Sequence, residues 1–158
     1  MKLGPAYVSR GSFIPSHSVQ TLLVSCSDFR FQRAFDDFLQ IAATGKADRL
    51  CLPGGHLQVW AGSAGNAEVS KNAIDWIQLL ASKHHLAQII LCGHEGCAAY
   101  ANLPKYKKYA EAKLRQIQLQ DLLKAGKILK RQFPSISVKL YFAEPHRKRR
   151  DVKFFKVE

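Results

Sequence analysis

The sequence predicts an α/β domain in which helices pack on a mostly parallel central sheet of about five strands, with the last strand antiparallel at the sheet edge. Short apolar segments rich in β-branched residues alternate with longer segments of helical periodicity, which is typical of a parallel sheet with right-handed crossovers. Only residues 144–151 separate the last two strand segments. These two strands are therefore expected to pair antiparallel, because parallel neighbours need a longer crossover.

Five segments have the length and the apolar composition expected of strands. They comprise residues 19–25, 49–52, 88–92, 136–143 and 152–157. The first and third contain short apolar runs, as in strands that are buried on both faces. The fourth alternates polar and apolar residues. In the fifth, Lys153 and Lys156 are expected to protect the exposed edge against aggregation.

Three segments carry apolar residues at helical spacing. They comprise residues 31–43, 64–83 and 105–133. Gly45 is the predicted stop of the first helix, and Trp76 belongs to the predicted apolar stripe of the second. Pro134 terminates the third helix, whose lysine and arginine residues lie opposite its apolar stripe.

A chain of 158 residues accommodates one domain. We expect it to span residues 19–158 and to follow an irregular N-terminal arm of residues 1–18. The hydrophobic share of 47% is too high for a disordered protein. No apolar segment is long enough to span a bilayer, and residues 1–5 do not resemble a signal peptide. We therefore expect a cytoplasmic protein with no membrane partner, in which four cysteines favour thiols or metal ligands over disulfides.

The net charge of +12 is concentrated in the last third of the chain. Residues 1–100 carry a net charge of +1, whereas residues 101–158 carry +11. This asymmetry raises the expectation of an anionic partner such as nucleic acid. The alternative, which we prefer, is a solvated helix face together with a charged hairpin tip at residues 146–150.

Two short segments place metal-binding residue types directly after predicted strands. The segment C-S-D-F-R, residues 26–30, follows the first strand, and G-H-E-G-C, residues 93–97, follows the third. If these strands are neighbours, Cys26, His94 and Cys97 converge, because the carboxyl ends of parallel strands meet at one edge of the sheet. Two thiolates and one imidazole suit Zn²⁺, and three protein ligands leave a fourth position for water, as in catalytic sites.

Each segment alone also has a purely structural interpretation, a buried thiol at a strand end or a hydrogen-bonded histidine. Cys51 and Cys92 lie inside predicted strands and are expected to be core thiols. His56 follows a Gly-Gly turn and is expected to be a core or surface histidine rather than a proton relay. Three aromatic residues near the motifs either wall a cleft for an apolar substrate or pack in the core. These are Phe29, Phe31 and Tyr100.

Taken together, the two motifs resemble the signatures of the β-class carbonic anhydrases, C-x-D-x-R and H-x-x-C. The resemblance covers residues 19–97. It extends more loosely to the final strands, since that family also closes its sheet with an antiparallel edge strand. The sequence departs from the family pattern in the loop at residues 52–56 and at Ala98, where the family usually has glycine.

The resemblance implies that Cys26, His94 and Cys97 bind one zinc ion per chain, and that Asp28 and Arg30 form a catalytic dyad beside it. The implied activity is reversible hydration of carbon dioxide to bicarbonate by a zinc-bound hydroxide, in a homodimer or higher homo-oligomer. Two alternatives stay open. One is hydrolysis of COS or CS₂ at the same site, and the other is a non-catalytic, zinc-stabilised nucleic-acid-binding protein.

Overall fold

A single five-stranded sheet organises the part of the chain that the computed structural model describes, residues 19–43, 46–60, 67–146 and 148–158. The strands are β1 Thr21–Cys26, β2 Asp48–Leu52, β3 Gln88–His94, β4 Ser137–Pro145 and β5 Val152–Val157. Their order across the sheet is β2-β1-β3-β4-β5. The first four are parallel, and β5 pairs antiparallel with β4. The predicted fold class is thus confirmed.

Five helices connect these strands within the described residues. They are α1 Phe29–Ala42, α2 His56–Val59, α3 Ala67–His84, α4 Ala98–Ala101 and α5 Glu111–Gln132. The short helices α2 and α4 were not predicted, because one turn is too short to show a helical period. None of the described helices is long and apolar enough to cross a membrane. The predicted N-terminal arm, the predicted stop at Gly45 and the predicted start of the second helix lie outside the described residues.

The third predicted helix begins later than its sequence pattern indicates. Residues 105–110 were expected to be helical, but helix α5 starts at Glu111. The preceding segment forms successive turns, in which the amide of Tyr106 donates to Leu103 and that of Tyr109 donates to Tyr106. These turns bring the ring of Tyr106 to 6.4 Å from the buried ring of Tyr100. Packing against Tyr100 therefore overrides the helical propensity of this segment.

The sheet is covered on both faces, and neighbouring strand residues alternate between two cores. Leu22 and Ile89 belong to the larger core, which α2, α3 and α5 cover. Leu23 and Ile90 belong to the other core, which α1 and Phe154 of β5 cover. Because both faces of the sheet are covered, β1 and β3 are almost wholly buried, as their apolar runs predict.

Two residues that were expected to be buried are exposed. Cys51 was predicted to be a core thiol, but it is exposed, because β2 is an edge strand whose burial alternates along its length. Trp76 was predicted to lie in the apolar stripe of its helix, yet it is 55% exposed. Ala73 and Ile77 are the buried residues of that helix instead.

The strand order places the carboxyl ends of β1 and β3 side by side. The chain passes from β1 outwards to β2 and then returns across β1 to β3. The direction of winding therefore reverses between β1 and β3. In open α/β sheets, ligands bind in the crevice at such a reversal point. The last residues of these two strands are Cys26 and His94.

Candidate metal centre

Three buried side chains with metal-binding atoms meet at the carboxyl ends of β1 and β3. Cys26 ends β1, His94 ends β3, and Cys97 is the N-cap residue of α4. Their candidate ligand atoms all lie within 4.8 Å of one another. The two sulfur atoms are 3.9 Å apart. The predicted convergence thus occurs, and the motif residues lie within or at the end of the elements that carry them.

His94 presents a bare nitrogen at this point. Its Nδ1 lies 2.9 Å from the backbone carbonyl oxygen of Glu95, so Nδ1 carries the proton and donates it. Nε2 is then a lone-pair acceptor, and it is buried without a hydrogen-bond partner. The ring of Phe31 packs against the imidazole at a centroid distance of 4.3 Å and limits its movement. A buried lone pair without a donor is costly unless a cation occupies the space in front of it.

The donor set fits a tetrahedral zinc ion. With zinc–sulfur bonds of about 2.3 Å, two thiolates in a tetrahedron lie about 3.8 Å apart. The separation of Cys26 and Cys97 is 3.9 Å. A histidine that is oriented through its second nitrogen by a backbone carbonyl is also the usual arrangement of a zinc-ligating imidazole. The three residues therefore form a cluster that could hold a metal ion.

The surroundings of Cys26 favour a thiolate. Hydrogen bonds, above all from Cys97 and also from the backbone amide of Gly54, lower the pKa of Cys26 despite its burial. The amide nitrogen of Gly54 lies 3.2 Å from its sulfur. The pKa of Cys97 is raised, because its thiol donates to Cys26 and is itself buried. One preformed thiolate and one thiol that can lose its proton are what a cation needs from a two-cysteine site.

The Gly54-Gly55 turn packs directly against the backbone at the end of β1, next to Cys26. Both glycines adopt positive φ angles, +81° and +52°. A Cβ atom at Gly55 would lie 2.8 Å from the backbone nitrogen of Cys26 and 2.8 Å from the carbonyl carbon of Ser25. Only glycine allows this turn to approach the end of β1 so closely. This support for Cys26 was not predicted from the sequence, in which residues 52–56 stand out only as a departure from the family pattern.

Asp28 and Arg30 form a fixed ion pair beside the cluster. Nε of Arg30 lies 3.0 Å from Oδ1 of Asp28, and Nη2 lies 2.5 Å from Oδ2. The same Nη2 donates to the carbonyl oxygen of Gly96 at 3.0 Å. Arg30 therefore ties the loop after β1 to the loop after β3. The guanidinium of Arg30 is the main reason why the pKa of Asp28 is lowered.

A cavity of about 360 Å³ opens beside this ion pair. Arg30, Phe31 and Gly96 line its inner side, and the turn that joins β4 to β5 lines the other. Cys26, His94 and Cys97 do not themselves line it. Phe31, whose ring packs against His94, lines this cavity and connects it with the metal cluster.

Comparison with known proteins begins with sequence. No family model matches the chain. An uncharacterised protein of Rickettsia bellii (strain RML369-C) is 30% identical over 139 residues, which cover 87% of this chain and 84% of that protein. The chain belongs to the same family as this Rickettsia bellii protein. Its name assigns no activity.

Solved structures resemble this family member in fold. A β-carbonic anhydrase of Aspergillus fumigatus matches 89% of the chain and 77% of its own length, with a TM-score of 0.59 at 12% identity. A structure of tetrameric β-carbonic anhydrases of Sordaria macrospora matches 87% of the chain and 81% of its own length, with a TM-score of 0.61 at 14% identity. A β-carbonic anhydrase of Trichomonas vaginalis matches 95% of the chain and 90% of its own length, with a TM-score of 0.55 at 11% identity. The chain therefore has the β-carbonic anhydrase fold.

A buried chain of hydrogen bonds near the metal cluster was not predicted from the sequence. The hydroxyl of Tyr100 donates to Oδ2 of Asp121 at 3.3 Å, and its oxygen lies 2.9 Å from Nε2 of His56. Since the hydroxyl has one proton, Nε2–H of His56 is the donor in the second bond. Burial, above all, lowers the pKa of His56 to about 3. His56 is thus a neutral core histidine, as the preferred interpretation of the sequence had it.

The sequence carried a weak signal for one member of this hydrogen-bond chain, Asp121. Gln118 and Asp121 occupy buried positions of α5, in the same stripe as Leu122 and Ala125. Polar residues at such positions need internal partners, and Asp121 finds one in Tyr100. Tyr100 lies three residues after Cys97, on the same short helix.

The remaining residues singled out from the sequence divide between core and surface. Cys92 is a buried core thiol, as predicted, and burial raises its pKa. Tyr100 is fully buried, and Phe31 is buried against His94. Phe29 does not pack in the core, because its side chain is 85% exposed.

Proposed function

We propose that this protein is a zinc-dependent enzyme that reversibly hydrates carbon dioxide to bicarbonate, with Cys26, His94 and Cys97 as the zinc ligands. The observation that carries the proposal is the bare, buried Nε2 of His94 beside two buried sulfur atoms. A protein interior keeps such an unpaired acceptor only where something else satisfies it. The β-carbonic anhydrase fold of the chain supports the same conclusion.

Zinc supplies Lewis acidity at such a site and brings the pKa of a bound water to about 7. The chain contributes three protein ligands and no fourth one within the described cluster, which is the pattern of a catalytic rather than a structural zinc site. Two thiolates donate more negative charge than imidazoles do. A further group must therefore favour deprotonation of the water.

Asp28 and Arg30 are the groups that we assign to this task. Arg30 keeps Asp28 ionised and holds both of its oxygen atoms in place. Asp28 then accepts a hydrogen bond from the water to be activated and orients that water's lone pair towards the carbon of the substrate. The side chain of Asp28 is 13% exposed, whereas that of Arg30 is 53% exposed.

The cavity beside Arg30 offers an apolar wall to a small apolar substrate. Phe31, Pro145 and Val152 contribute this wall, and the charged side chains that line the cavity are Arg30 and Arg150 together with Glu95, Glu111 and Asp151. Carbon dioxide has no net charge and little polarity, whereas bicarbonate is attracted by a guanidinium. We assign this cavity as the route between the centre and solvent.

We further propose that the enzyme is a homodimer. Phe29 lies between Asp28 and Arg30, and it is 85% exposed although it is a large apolar residue. The solved Sordaria macrospora relatives in fold are tetrameric. A second copy of the chain is the partner that we assign to Phe29.

The deciding experiment is a stopped-flow assay of carbon dioxide hydration on zinc-loaded protein, beside a Cys26→Ser control. We expect activity in the parent and only the uncatalysed rate in the control. Parent protein that holds zinc but hydrates no carbon dioxide would overturn the proposed activity. The alternative activity is tested on the same samples, with COS or CS₂ as substrate and hydrogen sulfide release as the readout.

A further inference from the structure

The outer face of α5 carries a basic stripe with no counterpart in the proposed catalysis. At 100° per residue, six positions fall within an arc of about 80° along the helix. All six side chains are exposed. They are Lys113, Gln116, Gln120, Lys124, Lys127 and Arg131. From the first to the last, the stripe extends about 27 Å, at 1.5 Å per residue.

Acidic residues do not neutralise this stripe. Helix α5 is described in full and contains two acidic residues, Glu111 and Asp121. Asp121 is 2% exposed and lies on the buried side of the helix, where it contacts Tyr100. Glu111 lines the cavity beside the β4–β5 turn, away from the stripe. The stripe therefore presents positive charge and amides to solvent, without a carboxylate among them.

The cations of the stripe are mostly without internal partners. Lys124 is engaged, since its Nζ lies 3.5 Å from Oδ1 of Asp121 and 5.1 Å from the centre of the Trp60 ring. Within the described part of the chain, no ion pair involves Lys113, Lys127 or Arg131. Arg115, which faces the sheet, pairs with Glu144 instead. The positive charge on the inner side is thus used internally, and that on the outer side is available.

The turns before α5 continue the same basic character. Lys105, Lys107 and Lys108 are exposed, and Tyr109 is 45% exposed among them. These turns directly precede the stripe in the chain, and we call the exposed basic residues of both, from residue 105 to residue 131, the basic track.

We infer that this track binds the phosphodiester backbone of nucleic acid without sequence preference. Lysine, arginine and glutamine side chains are the ordinary donors to phosphate and sugar oxygens. An anionic membrane fits less well, because α5 buries its apolar face against the sheet and has none left to insert. An acidic protein partner also fits less well, since the stripe lacks the apolar centre of a protein interface.

The test is fluorescence anisotropy of a short labelled RNA duplex, and of a DNA duplex of the same sequence, with full-length zinc-loaded protein at several salt concentrations. The variant Lys127→Gln/Arg131→Gln removes two of the proposed phosphate contacts. Its matched control, Lys71→Gln/Lys83→Gln, makes the same charge change at two exposed lysines of α3. Circular dichroism checks that both variants are folded.

The two variants should differ in affinity and in salt dependence. In Lys127→Gln/Arg131→Gln, the loss of two phosphate contacts should make the negative slope of log K against log salt shallower by about 1.8. It should weaken binding about 30-fold near 0.15 M salt. The control variant should bind within about twofold of the parent. Both variants should keep the parent's zinc content and its carbon dioxide hydration.

Three outcomes would overturn the inference. The first is no binding of either duplex by the parent at low salt. The second is an equal loss of affinity in both variants, which would mean that net charge alone acts. The third is binding to vesicles containing phosphatidylserine that depends on Lys127 and Arg131 while duplex binding does not, which would identify a membrane surface. Since none of these readouts depends on the metal, the outcome of this test is independent of the proposed catalytic function.

Discussion

At the scale of single residues, the metal cluster depends on three side chains, which come from the ends of β1 and β3 and from the N-cap of α4. Cys26→Ser and His94→Ala each remove a soft or borderline ligand and should leave far less than the about one zinc per chain expected of the parent. Metal content after gel filtration, measured by plasma mass spectrometry, checks this. Cys51→Ser changes an exposed thiol outside the cluster and is the matched control that should keep its zinc. Full zinc content in both ligand variants would contradict the assignment.

Arg30 is the residue that separates catalysis from metal binding. Arg30→Ala leaves all three proposed ligands in place but frees Asp28, which then either loses its orientation or occupies the open metal position itself. We expect the zinc content to be unchanged and kcat/KM to fall at least about tenfold, or ~1.4 kcal/mol of transition-state stabilisation.

Stopped-flow assays with metal analysis on the same samples test this expectation. Arg33→Ala, at an exposed arginine of the same helix, is the control and should behave as the parent. If Arg30→Ala is as active as the parent, Arg30 only links the two loops through Gly96 and has no part in the chemistry.

His56 should make the protein sensitive to acid. Its pKa is lowered to about 3 in the folded protein, against about 6.5 in an unfolded chain. Below pH 6.5 the unfolded chain therefore binds a proton at His56 that the folded protein does not bind. The free energy of unfolding thus decreases as the pH is lowered, until about pH 3. From pH 7 to pH 5 this residue should cost about 2 kcal/mol of unfolding free energy.

Urea unfolding at both pH values, together with the ¹⁵N shifts of the His56 ring, measures this effect. The ring should stay neutral at pH 5. His85→Asn, at an exposed histidine, should keep the pH dependence of the parent, whereas His56→Gln should reduce it. A His56 ring that is already protonated at pH 6 would refute the proposed burial effect.

At the scale of elements, the turn before α2 holds the end of β1 in position. In Gly55→Ala the new methyl group would press on the backbone of Ser25 and Cys26. We expect a loss of about 2–4 kcal/mol, from the positive φ and from overpacking against atoms that cannot move aside. Zinc affinity should fall as well, because the same backbone carries Cys26.

Gly96→Ala separates strain from collision. Gly96 has a φ of +68°, but a Cβ there would meet nothing within 4 Å. Its substitution should therefore cost only about 1–2 kcal/mol. Urea unfolding of both variants gives the comparison. Equal losses would mean that the contact with β1 contributes nothing.

At the scale of the whole molecule, substitution of the exposed Phe29 tests whether the protein forms the proposed homodimer. Light scattering at tens of micromolar should give the mass of two chains, and Phe29→Ser should shift the mass towards one chain. Trp76→Ser, on an outer helix face away from the motif, is the control, since Trp76 is likewise a large apolar residue and is 55% exposed. A parent that is monomeric and fully active would contradict the proposed dimer.

The sequence determined those features whose cause is local or periodic. The alternation of apolar strands and helical stretches sufficed for the α/β fold, because each element must bury its own apolar face. The motifs of residues 26–30 and 93–97 sufficed to name Cys26, His94 and Cys97 as a group. They converge because parallel strands present their carboxyl ends at one edge.

Only the tertiary structure decided what depends on contacts between distant segments. Cys51 lies in an apolar segment, and its exposure follows from the position of β2 at the sheet edge. Helix α5 starts at Glu111 because the preceding turns pack Tyr106 on Tyr100, which outweighs local propensity. The bonds of Tyr100 with His56 and Asp121 join residues far apart in sequence. No local pattern encodes such pairs, since their free energy arises only when the sheet and its helices have come together.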